Sequence, residues 1–313
     1  MIRFVKHTDI RPEKWDEAIL RSQSPTVLAT HGFLDTLTAG STWNALILDD
    51  YAAVLPLPER SKMGIPYIYT PFFLPQLGIF SPTPTDAETT LAFFNNIPAK
   101  YKQIDLLLNT TNDAGLLKNE TIQLVSHQLS LQKPYEQLQA DFSQNTRRNI
   151  KDAQKHSLTY FEDESIIEDV IHLFKQNKGK EKNVHYGNDD YPILQKATQK
   201  LIDNQNLLVA GVLNANEKLV AGAFFLHDYT KIHFWFSGRD DAASEGKPMF
   251  FLLDEYIRRH AGSDKILDFN GSSNPNVARL YRGFGGMPYS IPMIHHTPTL
   301  WQLPMRIYRF FSK

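Results

Sequence analysis

Between residues 207 and 237 three apolar runs alternate with two polar turns. Leu207–Leu213, Leu219–His227 and Lys231–Ser237 have strand length, and Asn214-Ala215-Asn216 and Asp228-Tyr229 are turn formers. The pattern predicts an antiparallel meander. Upstream, the apolar spacing becomes helical over Phe142–His156, Ser165–Asn177 and Tyr191–Asn204, with Ser143 placed to cap the first of these. Downstream it predicts helix Pro248–Ala261, strand Ile266–Phe269, helix Pro275–Phe284 and a last strand around Tyr289–His295.

The first third alternates strand and helix patterns. Strand Ile2–Val5 is followed by helix Pro12–Arg21, with proline in its first turn, and by strands Trp43–Asp49 and Ala52–Pro56, joined at Asp49-Asp50-Tyr51. Residues 56–84 crowd Pro66, Tyr67, Tyr69, Pro71, Phe72, Phe73 and Pro75 together. Proline removes backbone donors, so a long packed loop is expected here, not a central strand or a helix. Helix Thr85–Asn96 carries Asp86 and Glu88 at its positive end, and strands Ile104–Leu108 and Thr121–Leu131 follow. Lys133-Pro134 breaks the pattern, so domains 1–132 and 133–313 are expected. The fold class is α/β (α+β), a mixed sheet flanked by helices.

Composition narrows the function. At 313 residues the chain is comfortable for two domains, and its net charge of −1 gives no global pull toward nucleic acid or anionic lipid. The absence of cysteine excludes disulfides, thiolate metal sites and a cysteine nucleophile, and fits a cytoplasmic setting. No apolar run has signal-peptide or membrane-span length. The aromatic, basic segment 300–313 reads as a terminal stretch packed on the fold or touching a membrane surface.

Three segments carry candidate chemistry. Ile266–Gly286 reads as a buried strand, a Gly/Ser/Asn turn, a short helix and a glycine stop. The turn sets Asn274 and backbone N–H groups at a helix N-terminus, where anionic or carbonyl groups can be held. Val277, Leu280, Tyr281 and Phe284 share one helix face, expected to be buried with the Tyr281 hydroxyl in a cleft. Asp268, at the end of the strand, is a candidate base or the cap of the next turn. In Phe236–Leu253 a strand ends in a loop with Arg239, Gly246 and Lys247, and a helix opens at Pro248. A Gly-Lys pair there suits a pyrophosphate, or is an ordinary polar loop. In Tyr135–Leu158, Arg147, Lys151 and Lys155 follow an i, i+4, i+8 stripe that can meet phosphates or face solvent. The lysine-rich run 178–182 leads to His185 and Tyr186 in a loop. His295-His296 is not metal spacing, and no metal is expected.

Asn274 and Tyr281 keep the spacing of N-x-x-A-x-x-x-Y, a pattern that resembles the end of the Gcn5-related N-acetyltransferase (GNAT) fold; Val277 stands where alanine is usual. Thr146–Ala153 and Lys155 resemble the helix that enters the second domain of the Fem-type transferases and of related acyltransferases named for cellulose or biotin. The two matches cover roughly 135–290. The resemblance implies two tandem GNAT-like copies, the first degenerate, and an N-acyltransferase taking its acyl group from acyl-coenzyme A. It implies Tyr281 as the acid that protonates the departing thiolate and Arg239, Gly246, Lys247 and Asn274 as coenzyme A contacts. Arg147, Lys151 and Tyr186 would border a small-molecule or peptidyl amine. The family's usual loop, [QR]-x-x-G-x-[GA], is altered here to a single glycine with Asp240, Asp241 and Glu245 added. The alternatives are aminoacyl transfer from charged tRNA to a cell-wall precursor, and a non-catalytic binding protein on the same fold.

Overall fold

The computed structural model describes residues 1–39, 42–62, 64–177, 190–271 and 275–297. In chain order the elements are β1 Ile2–Val5, α1 Pro12–Leu20, α2 His31–Leu37, β2 Thr42–Leu48, β3 Ala53–Lys62, β4 Ile65–Tyr69, α3 Ala87–Asn95, β5 Ile104–Leu107 and β6 Thr121–Ser130. They continue with α4 Tyr135–Asp141, α5 Gln144–Ala153, β7 Thr159–Glu162, α6 Ile167–Gln176, α7 Asp190–Asp203, β8 Leu207–Leu213, β9 Leu219–His227 and β10 Lys231–Arg239. The last are α8 Pro248–His260, β11 Ile266–Asp268, α9 Pro275–Gly283 and β12 Met287–His296. The mixed α/β class read from the sequence is the class observed. The segment 300–313, Tyr186 and Asn274 lie outside the described residues.

Two compact units divide the chain. One is Met1–Leu124 with a returning segment that begins at Ser290, and the other is Val125–Tyr289. The expected division near residue 133 falls inside the second unit. In the first unit β1, β2, β3 and β4 run antiparallel in sequence, β4 pairs β5 in parallel, and residues 293–296 of β12 close the order antiparallel to β5. In the second unit β7, β8, β9 and β10 form the antiparallel series. There β10 pairs β11 in parallel, and residues 128–130 of β6 close the order antiparallel to β11. The strand order is therefore the same in both units. The first is completed by a strand from beyond its own consecutive run, and the second by β6, the strand that begins its run.

The proline-rich segment departs from expectation. β3 continues through Pro56 and Pro58, and β4 includes Pro66. Pro56 and Pro58 sit opposite Ala45 and Trp43 of β2, while the β3–β4 register begins only at Glu59. A strand paired on one side tolerates a missing N–H on the other. Helix α2 was also not anticipated; its seven residues bury Phe33, Leu34 and Leu37, too few for a periodicity to show.

The core of the second unit lies under the meander, where Phe225, Leu252, Leu253, Tyr256, Ile257, Phe269 and Phe284 are buried together. On the other face α6 packs directly on β10. A Cβ at Gly238 would stand 2.4 Å from the Val170 carbonyl oxygen and 2.7 Å from the Phe174 nitrogen, so only glycine allows this approach. Gly238→Ala should force α6 away from the strand at a cost of about 1–3 kcal/mol. Urea unfolding would show it as a lower midpoint at unchanged slope; an unaltered midpoint would mean that the helix yields freely.

Candidate active site

The site begins where two strands stop matching. The parallel register of β10 with β11 ends at His233 opposite Asp268, but β10 runs on to Arg239. The strands therefore part. On its other edge β10 shifts register against β9 between Phe234 and Phe236, a bulge at the same level. Bulges bend a strand and re-aim its side chains. The gap is a cleft of about 650 Å³. Its floor is Phe234, Ser237 and Gly238 of β10, and its walls come from α5, α6, α8 and α9, including Asn145, Thr146, Phe174, Met249, Phe250 and Leu280. Such a volume lies in the range of small-molecule sites.

Tyr281 lines this cleft. Its ring is buried and stacks on Phe269, with centroids 4.6 Å apart and planes at 15°. Burial pushes its phenol above the ordinary range, so the group keeps its proton at physiological pH. The expectation that its helix face is buried holds: Tyr281 and Phe284 are in the core, with Val277 and Leu280 packed on it. The helix is anchored at its end, where Ser143 N–H donates to the Gly283 carbonyl at 2.8 Å. A Cβ at Gly283 would fall 2.3 Å from Thr146 Oγ1, so glycine permits the start of α5 to lie there. Ser143 also caps α5, accepting from Thr146 N–H at 3.1 Å, as its position in the sequence predicted.

The other sequence candidates separate. Arg239 lines the cleft, where its Nε donates to Asp241 Oδ1 at 3.0 Å. Gly246 and Lys247 are not among the residues lining it. A six-residue 3-10 segment, Asp241–Gly246, fills the loop, and Lys247 sits at φ 51° with its ammonium turned back to the Ser244 carbonyl. Proximity in sequence to the start of α8 did not bring the pair to the cavity. Arg147 and Lys151 are exposed and border a separate shallow depression with Arg148. They fall on the face of α5 opposite to buried Thr146, Ile150 and Ala153. From α5 the cleft instead receives Asn145 and Thr146, and from α9 it receives Arg279, a second cation that sequence reasoning missed. Neither carries a motif that would have marked it.

Asp268 is not a free base. It is fully buried and saturated. Tyr289 OH donates to it at 2.6 Å, Asn270 N–H at 3.0 Å, Ser126 OH at 3.3 Å and the Lys231 ammonium at 3.3 Å. Burial alone would raise its carboxyl, but His233, Lys231, Tyr289 and Asn270 outweigh it and hold it below the ordinary aspartate range. His233, opposite it on β10, donates Nδ1–H to Asn270 Oδ1 at 2.8 Å and faces Asp228 at 3.7 Å. Burial pulls that imidazole down, yet Asp228, Asp268 and Asn270 prevail and raise it. A further histidine went unnoticed in the sequence. His127 on β6 is fully buried, both ring nitrogens lack partners among the described residues, and its ring lies 6.2 Å from that of Tyr281. Burial, with Arg282 adding, keeps it below the ordinary histidine range.

Asp268→Asn should cost about 3–5 kcal/mol at neutral pH, because it breaks a buried ion pair. The carboxylate's contribution is complete above roughly pH 4 and is lost as pH falls through its lower folded-state value. The variant should therefore show a flatter loss of stability in acid than the wild type; parallel curves in a urea series from pH 2 to 7 would contradict this account.

Comparison with known proteins follows the same lines. Residues 140–275 match a family model described as the acetyltransferase (GNAT) domain. FemX is similar in structure at TM-score 0.66 and 12% identity, with 94% of this chain and 98% of that one covered. L-PGS from Bacillus licheniformis is similar at TM-score 0.53 and 10% identity, with 92% of each chain covered. A tandem GNAT protein from the clavulanic acid biosynthesis pathway is similar at TM-score 0.50 and 9% identity, over 94% of this chain and 98% of that one. No curated protein sequence matches the chain. Residues 140–275 thus match the acetyltransferase (GNAT) domain model, and the fold of the chain is similar to that of FemX and of a tandem GNAT protein.

Proposed function

We propose that the protein is an N-acyltransferase that moves an acyl group from acyl-coenzyme A to an amine held in the cleft between β10 and β11. The observation that carries this reading is the parting of those strands beyond His233 and Asp268, with protonated Tyr281 on the wall of the gap. An extended thioester arm can lie along the exposed edge of β10, as an added strand does. Backbone N–H groups of that edge can then meet the carbonyl oxygen as it gains charge. The amine nitrogen attacks the thioester carbon, the C–N bond forms and the C–S bond breaks. Tyr281 gives its proton to the departing sulfur, and the amine's proton passes to water. The described lining holds no histidine and one carboxylate, Asp241, which is paired with Arg239. Holding the two reactants together supplies most of the acceleration. Arg239 and Arg279 give the cleft the cations that a donor's phosphates need.

A second reading is favoured by one separate feature. Arg147, Arg148 and Lys151 form an exposed basic patch outside the cleft. Aminoacyl transfer from charged tRNA to a cell-wall precursor amine would use such a patch for phosphates, and the likeness to FemX points the same way. A cytoplasmic site of action suits either donor, and no described helix is long and apolar enough to cross a membrane.

Acetyl-coenzyme A at millimolar concentration should raise the melting temperature, since a ligand of the native state stabilises it. Tyr281→Phe keeps the stack on Phe269 and should lower kcat roughly a hundredfold with the melting temperature unchanged. No thermal shift with the thioester, together with tRNA binding that weakens steeply with salt, would replace the first reading by the second. Full activity in the phenylalanine variant would take the proton transfer away from Tyr281.

A further inference from the structure

The first unit contains a cluster that the cleft chemistry does not use. His7, just after β1, meets His31 and Asp35, one turn apart on α2. One ligand-type atom from each lies within 4.8 Å of the other two. His7 Nε2 is 2.8 Å from Asp35 Oδ1, and His31 Nδ1 is 3.4 Å from Asp35 Oδ2. Around a zinc ion with bonds of about 2.0–2.1 Å, neighbouring donor atoms sit roughly 3.3 Å apart. The two observed separations bracket that spacing. The His31 contact is longer than a good N–H···O hydrogen bond. The carboxylate's second oxygen therefore retains acceptor capacity on the side where the imidazoles converge.

What lies behind the three donors is also ordered as a metal site requires. Trp43, buried beneath them, donates its indole N–H to Asp35 Oδ1 at 2.8 Å. Its ring meets His7 and His31 edge-on at 5.1 and 5.2 Å, and the two imidazoles stack at 5.0 Å. The backbone of both histidines is tied down, His7 N–H to Asn44 Oδ1 at 3.1 Å and His31 N–H to Asp16 Oδ1 at 2.7 Å. Outer partners of this kind fix ligand orientation. The side chains of His7 and Asp35 keep 33% and 43% of their exposure, so an ion can enter from solvent.

We propose that His7, His31 and Asp35 form a binding site for a divalent transition-metal ion of the zinc class. Two imidazoles and one carboxylate suit zinc, nickel or copper, not calcium or magnesium. Three protein donors leave at least one coordination position for water or a small anion. A bound ion would clamp the segment after β1 to α2. No local pattern marks the site, because His7 lies far from the H-x-x-x-D spacing of α2 and only the fold unites them.

The test uses tag-free, chelator-treated full-length protein titrated with zinc chloride by calorimetry, with melting temperature read in parallel. One saturable site and a zinc-dependent rise in melting temperature are expected. His7→Gln and Asp35→Asn should each weaken binding roughly tenfold or more, and Trp43→Phe by about tenfold through loss of the outer hydrogen bond. Nickel should quench the tryptophan emission of the wild type and not that of His7→Gln. His7 is part-exposed, so its variant reports on binding even if the tryptophan variant does not fold. Absence of binding at millimolar zinc overturns the proposal. Binding that is equally tight in His7→Gln and Asp35→Asn overturns it too, and would assign the ion elsewhere, such as beside His295 and His296.

Discussion

A wholly buried carboxylate governs the second unit. Asp268 ends β11 where hydrogen bonding to β10 gives out, and a charge in that position must be matched or it costs several kcal/mol. Lys231 from β10, Ser126 from β6, Tyr289 from β12 and the Asn270 N–H all converge on it. Four segments distant in the chain are thus held at the apex of the cleft. Asn270 accepts from His233 across the same apex and has φ 53°, in the left-handed region. The strands can open beyond this point because they are fastened at it.

Fastening the apex leaves the walls free to be apolar. Phe234, Phe174, Met249 and Phe250 give the cleft an apolar lining, while the phenol of Tyr281 stays protonated because it is buried. The same desolvation that disfavours a free carboxylate there makes a neutral acid available. This division of labour explains why Asp268, at the apex, serves the scaffold and a tyrosine on the next helix faces the cavity.

The sequence carried the secondary structure well wherever one face of an element repeats. The meander 207–237, the Ser143 cap and the buried face of α9 were all legible, because each is set by local periodicity or by one side chain at a helix end. Proline misled at Pro56, Pro58 and Pro66, where one-sided pairing removes the usual penalty. The cleft itself was only half legible. Tyr281 and Arg239 lie on it, but Lys247 points back to its own loop and the α5 cations face outward. A cavity made by the mismatch of two strand lengths takes its lining from five elements, and no single stretch of chain encodes which residues will meet. His127 and the His7 cluster escaped notice for the same reason.

The different origins of the two closing strands bear on how the chain acquires its shape during synthesis. Residues 128–130 complete the second sheet before most of that sheet exists, so the later unit can grow onto a strand already made. The first unit has the opposite schedule: its order ends with residues 293–296, which the ribosome adds only after the whole of the second unit. Until then the outer edge of β5 presents unpaired N–H and C=O groups, a template for wrong partners. Contacts of such long sequence separation are slow to form. The first unit is therefore begun before the second and sealed after it, and its open edge is exposed to wrong pairing for the interval.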